Sequence, residues 1–219
     1  NTFIVVESVY SMDGDGPDLS ALVDLAATSG AALIVDEAHA TGVVGPCGEG
    51  GVAFAGLGHH VFARIHTFGK AVGSHGAVIV GSAVLREYLV NFARPFIYST
   101  GLPPHLVKAV DLAYAKMEDG TLTQQLQERI SQFRQCCQRL GLTGHFLPST
   151  GPIQSLLLPG NERAKALSQQ VQRSGFRVQA ILHPTVPAGK ERLRICLHSF
   201  NTEEEITQLL ETIKAGLHD

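Results

Sequence analysis

The sequence predicts an α/β fold: a mostly parallel, doubly wound sheet followed by a smaller α+β domain. Three observations carry this. Ala31-Ala32-Leu33-Ile34-Val35 is a continuous apolar run of strand length, the mark of a strand buried on both faces of a parallel sheet. Short runs of this kind alternate with apolar residues at helical spacing through the first hundred positions. Beyond Pro103-Pro104 the order changes to two helical patterns, then strand, helix, strand, strand, helix.

The elements follow in chain order. Residues 2–6 read as the first apolar strand. Asp18 is a good N-cap for a helix with Leu19, Leu22, Val23 and Ala26 on one face, and Gly30 is suited to end it. The run 31–35 is the second strand, and further short strands fit at 64–68, 77–81 and 96–99. Leu106, Val110, Ala113 and Met117 mark one helix; Leu122, Leu126, Ile130, Phe133, Cys137 and Leu140 mark another, stepping by three or four. A strand over 153–158, a helix over 164–174, strands over 177–181 and 192–197, and a helix over 203–217 complete the chain. The last has Ile206, Leu209, Leu210, Ile213 and Leu217 on one face. This divides the chain into part of a larger domain (1–104), a connecting helix (105–124) and a small carboxyl-terminal domain (125–219).

Composition narrows the function. Of 219 residues, 44% are hydrophobic and 17% charged, enough to bury a core and unlike a disordered tail. The 17 Lys and Arg against 20 Asp and Glu give −3, which argues against a nucleic-acid groove or an anionic membrane surface. No apolar run approaches the roughly 20 residues of a membrane span, and no basic-then-apolar signal opens the chain. Cys47, Cys136, Cys137 and Cys196 fit no zinc spacing, so no metal is expected, and adjacent cysteines in a helix suit a disulfide poorly. Reduced thiols in a cytoplasmic protein are the expectation. The chain opens without Met, inside the first strand, and more chain is expected ahead of it.

Asp36-Glu37-Ala38-His39 stands at the end of the 31–35 strand. Nucleic-acid helicases carry such an acidic motif, but after a G-x-x-x-x-G-K-[ST] phosphate loop. No such loop precedes it, and Gly69-Lys70 continues with Ala71. The alternative joins Asp36 and His39 to Thr67-Phe68-Gly69-Lys70-Ala71-Val72-Gly73. A carboxylate at one strand end then faces a lysine beyond another, with a hydroxyl three residues before it. Pyridoxal 5′-phosphate (PLP) needs that set: a carboxylate for the ring nitrogen, an amine for a Schiff base, and hydroxyl and amide donors for phosphate.

Asp36-Glu37-Ala38-His39-x-x-Gly42 followed by Thr67-x-x-Lys70-Ala71 resembles the α-oxoamine synthases, PLP enzymes of the aspartate-aminotransferase fold type. Three further segments agree in order: Ser11-Met12-Asp13-Gly14-Asp15, then Phe96-Ile97-Tyr98-Ser99-Thr100-Gly101-Leu102-Pro103-Pro104, then Pro184-Thr185-Val186-Pro187 with Arg192-Leu193-Arg194.

The resemblance implies a role for each residue. Lys70 holds PLP and removes the substrate Cα proton; its plainer reading is a surface lysine in a Gly-rich turn. Asp36 pairs with the ring nitrogen, a charge-assisted bond that contributes roughly 1.5–3 kcal/mol. His39 bonds the phenolic oxygen, as does Ser11 from another loop, and Thr67 binds phosphate. Ser99 and Thr100 serve the other subunit's phosphate site, which implies a homodimer with shared active sites; capping the following helix is their plainer role. Arg194 grips the substrate α-carboxylate with its planar fork, and Thr185 is a further substrate contact. Arg192 and Arg194 alternate on one strand face, so spacing leaves both open, and motif alignment favours Arg194.

The implied reaction is a decarboxylative condensation of an amino acid with an acyl-CoA to an α-amino ketone. Ile97–Thr100 together with Pro184–Gly189 most resemble the members that join L-alanine to a pimeloyl thioester in biotin synthesis; members using glycine or serine differ there by few residues. Family members also carry roughly as much chain again ahead of this point, as domain sizes allow. That part holds a ring-stacking histidine and a small-residue phosphate loop, neither present here, so the isolated chain is expected to be inactive. A non-catalytic partner subunit is the other class of reading, and retention of Lys70 argues against it.

Overall fold

A computed structural model describes residues 2–217; Asn1, His218 and Asp219, and with them the outer limits of the expected domains, lie outside the described residues. The chain forms two compact units. One comprises the chain up to Tyr10 and Gly16–Thr123; the other comprises Ser11–Asp15 and the chain from Gln124 onward.

The first unit is built on strands β1 (Phe3–Glu7), β2 (Ala32–Asp36), β3 (Ala63–Thr67) and β4 (Ala77–Gly81). They lie side by side in that order; β1, β2 and β3 are parallel and β4 is antiparallel to β3. Helix α1 (Leu19–Ser29) starts where Asp18 accepts a hydrogen bond from the Ala21 amide at 3.0 Å, and ends where Gly30 turns left-handed at φ 66°. Its Ala26 joins Leu33 and Val35 of β2 and Val52 of a short helix, α2 (Gly51–Phe54), in a core flanked by Ile4, Val6, Leu22 and Val23.

Two expectations are corrected here. Burial on both faces is not met: β2 alternates buried with half-buried residues, while the edge strands hold no buried residue, β1 mixing exposed with half-buried positions and β4 being largely exposed. The strand expected at 96–99 is instead a helical turn, α4 (Arg94–Ile97). Pro95 occupies its first turn, where a fixed φ favours helix and the missing N–H costs nothing. Helix α3 (Ala83–Phe92) precedes it, capped by Ser82 accepting from the Leu85 amide at 3.1 Å. None of its residues is buried, and it is not among the helices expected from the sequence. Helix α5 (Pro104–Met117) follows.

Helix α6 (Thr121–Leu140) contributes Leu126, Ile130 and Phe133 to the buried residues of the second unit. Phe133 meets Phe146 edge to face at 5.3 Å. Strands β5 (Ile153–Leu157), β6 (Gln179–Ile181) and β7 (Arg192–Cys196) form an antiparallel sheet in the order β5-β7-β6, with β6 shorter than the expected 177–181. Helix α7 (Asn161–Arg173) packs on β6, β7 and α8 (Glu203–Leu217). The expected inward face of α8 is buried at Ile206, Leu209, Leu210 and Ile213.

Ser11–Asp15 are held to this unit by long-range bonds. Ser155 Oγ donates to the Met12 carbonyl at 2.8 Å, Ser149 Oγ to the Gly14 carbonyl at 3.2 Å, and Arg192 pairs with Asp13. Gly14 sits at φ 74°, and a Cβ there would stand 2.7 Å from the Ile153 carbonyl oxygen, so glycine is required. All four cysteines are free; burial, then the neighbouring Cys136, pushes the Cys137 thiol up to about 12. No helix among the described residues is long and apolar enough to cross a membrane.

Leu210 has no exposed surface. Leu210→Ala is expected to lower the unfolding free energy by about 2–5 kcal/mol through lost burial and a residual cavity, read by urea denaturation.

Candidate active site

Because β2 and β3 are parallel, the turns that leave them emerge at the same sheet edge, where α/β sheets place their ligands. Asp36 is the last residue of β2 and is half-buried; its Oδ1 accepts from the Ala38 amide at 2.8 Å, which bends the chain out of the strand. The turn closes as the Ala40 and Thr41 amides donate to the Glu37 carbonyl at 3.0 and 2.9 Å, leaving His39 half-buried at its top. From the end of β3, Thr67 leads into a loop closed by Phe68 N–H to Gly76 O at 2.9 Å and Ser74 N–H to Phe68 O at 2.7 Å. Lys70 lies near the tip, exposed, its carbonyl accepting from the Gly73 amide at 3.0 Å.

The two turns meet. Gly42, at φ 77°, lies so close to Ala71 that a Cβ on it would stand 2.5 Å from the Ala71 Cβ. The first motif therefore rests against the residue next to Lys70. At the stem of the loop, Gly76 leaves room for Leu102: a Cβ there would be 2.9 Å from Leu102 Cδ1, which brings the segment after Ser99-Thr100 to the same loop. Ser99 and Thr100 themselves are exposed, and Ser99 Oγ donates to the Pro95 carbonyl at 2.5 Å.

The loop around Lys70 also contains two unmet hydroxyls. Thr67 Oγ1 and Ser74 Oγ are buried without a hydrogen-bond partner, whereas a buried hydroxyl so placed costs about 1–3 kcal/mol. Donors left open on either side of a lysine suit a cofactor bearing an anionic group, and Asp36 and His39 supply the carboxylate and imidazole a pyridinium ring takes. The residues present fit PLP. Ser74 was missed in the sequence, where one hydroxyl in a Gly-rich loop carries no signal.

Behind the site, the Thr41 hydroxyl donates its single hydrogen to the Glu37 carbonyl at 2.8 Å and also contacts His66 Nδ1 at 2.8 Å. The buried imidazole and the Thr41 hydroxyl thus share a hydrogen bond. Burial holds His66 below the ordinary histidine range and Arg64 adds to this, against Glu37 and Asp36, which raise it. No cluster of potential metal ligands occurs among the described residues.

In the second unit the two arginines of β7 differ. Arg192 is buried and its charge is met by Asp13. Arg194 is half-buried; its Nε donates to the Ser11 carbonyl at 2.8 Å and its Nη1 lies 3.4 Å from Cys196 Sγ, neither a charge partner. Ser11 thus belongs to this unit and uses its carbonyl on Arg194. Thr185 is exposed in the loop between β6 and β7. That loop is tied down by buried Glu191, which accepts from the Gly160 and Gly189 amides, each at 2.9 Å.

The family model for aminotransferases of class I and II matches residues 1–213. The chain belongs to this PLP-dependent family. Within it, the chain is 43% identical to 8-amino-7-oxononanoate synthase of Emericella nidulans, over 99% of this chain and 55% of that protein. Among solved structures, serine palmitoyltransferase with PLP is 27% identical, with a TM-score of 0.90 over 99% of this chain and 55% of the other. The 8-amino-7-oxononanoate synthase of Francisella tularensis is 32% identical with a TM-score of 0.86, covering all of this chain and 63% of that one. These relatives are α-oxoamine synthases, the family resemblance read from the motifs. The chain spans about half the length of the curated relatives it matches.

The sign of the His66 effect is testable. A histidine held low in the fold binds protons more weakly folded than unfolded. Its contribution is fully present above the unfolded pKa of about 6.5 and is lost as pH falls through the lowered folded value. Melting temperatures of the wild type are expected to fall more steeply between neutral and mildly acid pH than those of His66→Asn. Equal slopes would remove His66 as the source.

Proposed function

We propose that the whole protein is an 8-amino-7-oxononanoate synthase, and that this chain supplies the lysine and carboxylate sides of its PLP site. The observation that carries the reading is the approach of Gly42 to Ala71, which sets the Asp36–His39 turn against the Lys70 loop with its unmet Thr67 and Ser74 hydroxyls. In the overall reaction the Cα of L-alanine bonds to the acyl carbon of pimeloyl-CoA, the CoA thiol leaves, and the alanine carboxylate departs as CO2, giving an α-amino ketone.

When bound, PLP supplies an electron sink for the negative charge that develops at Cα. The chain's own groups do the rest. Lys70 holds the cofactor through its amine and then moves the Cα proton, for which it must be a neutral amine, favoured by desolvation and a cationic neighbour. Asp36 keeps a proton on the ring nitrogen. His39 and Ser11 donate to the phenolic oxygen, and Thr67 to the phosphate. Arg194 binds the amino acid's carboxylate, a role open to it because Asp13 already engages Arg192; Thr185 orients the substrate. Residues 1–104 then belong to the cofactor domain, 105–124 connect, and 125–219 form the small domain. A cytoplasmic homodimer, in which Ser99 and Thr100 reach the partner's phosphate site, completes the reading; four free thiols fit a reducing compartment.

A sibling enzyme using serine or glycine is the second reading, favoured by the fold likeness to serine palmitoyltransferase. The full natural chain, loaded with PLP, decides between them. It is offered alanine, glycine or serine with pimeloyl-, succinyl-, acetyl- or palmitoyl-CoA, and CoA thiol release is followed. Release is expected with alanine and pimeloyl-CoA alone, and Lys70→Ala is expected to lower it at least about 100-fold, the scale of a lost general base. Release with another pair moves the protein to a sibling. None with any pair makes it a non-catalytic partner subunit.

Arg194→Ala is expected to raise the KM for the amino acid about 10- to 100-fold, as the loss of a charged hydrogen-bond pair implies. Arg192→Ala should act first on stability, since it leaves Asp13 unpaired. The reverse pattern would assign the carboxylate to Arg192.

A further inference from the structure

Glu37 stands between Asp36 and His39 in its turn, closed off from solvent. Its side chain is fully buried and accepts three hydrogen bonds: from Ser8 Oγ at 2.6 Å and the Gly51 amide at 2.9 Å on Oε2, and from the Val52 amide at 2.7 Å on Oε1. Its backbone is equally committed. The amide donates to the Ile65 carbonyl of β3 at 2.8 Å, and the carbonyl accepts from the Ala40 and Thr41 amides and from Thr41 Oγ1. Ser8 reinforces the link, donating its own amide to the Asp36 carbonyl at 2.9 Å. Gly50 is glycine for the same reason: a Cβ there would stand 2.9 Å from Glu37 Oε2.

One residue therefore ties together the chain beyond β1, the ends of β2 and β3, and the start of α2. Asp36 precedes it directly and His39 follows two positions later, with only the short Ala38 between. Neither neighbour can keep its place if Glu37 moves.

We propose that Glu37 is a positioning residue that sets the angle at which Asp36 and His39 meet the PLP ring. The inference rests on the cofactor reading above. It makes a distinction that a general role in stability does not: loosening Glu37 should change the ionisation and affinity of bound cofactor in protein that is still folded. Glu37→Gln is the sharp variant. Each carboxylate oxygen accepts one backbone amide, so whichever way the glutamine amide turns, its NH2 opposes an N–H and leaves a buried donor unmet.

The experiment uses the full natural chain as wild type, Glu37→Gln, Ser8→Ala and Leu210→Ala. Two quantities are read besides activity: the pH midpoint of the visible absorbance of bound PLP, and the Kd for PLP by equilibrium dialysis. For Glu37→Gln a displaced midpoint and an affinity lower by on the order of 10-fold are expected, as an unmet buried donor implies. Ser8→Ala removes one donor but leaves both amides accepted, and should shift both readings the same way by less. Leu210→Ala loses stability and should keep both wild-type values. If Glu37→Gln does not fold, Ser8→Ala decides, and wild-type values there overturn the inference. Wild-type values in folded Glu37→Gln overturn it too. A wild type that binds no PLP overturns the cofactor reading itself, and is told apart by the missing absorbance band.

Discussion

The parallel pairing of β2 with β3 is the constraint on which the first unit's chemistry depends. Asp36 sits opposite Ile65 in register, and the Glu37 amide extends the ladder one residue further at 2.8 Å. Parallel strands run out at the same edge, so the carboxylate ending one and the hydroxyl ending the other leave the sheet side by side. Were β3 reversed, Thr67 and Lys70 would exit from the opposite edge. Proximity of the strand ends alone does not seat the turns. Gly42 does, by leaving no Cβ in the space that Ala71 occupies.

Around these turns the polar groups divide into two kinds. Glu37, Thr41 and His66 are buried and hydrogen-bonded, which stiffens the frame behind Asp36 and His39. Thr67 and Ser74, on the Lys70 loop, are buried and unmet. Arg129 Nε and Gln132 Oε1 of α6 are unmet as well, but the two hydroxyls share one loop with a lysine, an arrangement that fits the acceptors of an anionic ligand. The second unit repeats the contrast on a single strand. Arg192 has its counter-ion in Asp13, while among the described residues the guanidinium of Arg194 meets a carbonyl and a thiol. Two side chains that look alike in sequence thereby differ in their partners, one ion-paired and one not.

Ser11–Asp15 show how little sequence position says about membership. Chain order places these residues ahead of α1, deep in the first unit's stretch. Hydrogen bonds from Ser149, Ser155 and Arg194 hold them to the second unit instead, with Gly14 allowing the close approach to Ile153. The same segment contributes Asp13, the ion-pair partner of Arg192.

Sequence alone determined whatever depends on a few adjacent residues. The Asp18 cap, the Gly30 stop, the inward stripe of α8, the apolar run of β2 and the spacing from Asp36 to His39 and from Thr67 to Lys70 were all legible, because capping, periodicity and turn chemistry are local. Tertiary structure decided the rest. Pro95, in the first turn of α4, suits a helical turn where an apolar stretch reads as strand. The anchoring of Glu37 by Ser8, the unmet hydroxyl of Ser74 and the pairing of Arg192 with Asp13 depend on which distant groups do or do not arrive at hydrogen-bonding distance. A partner 29 or 179 residues away leaves no mark on local spacing, and only the folded chain brings it within reach.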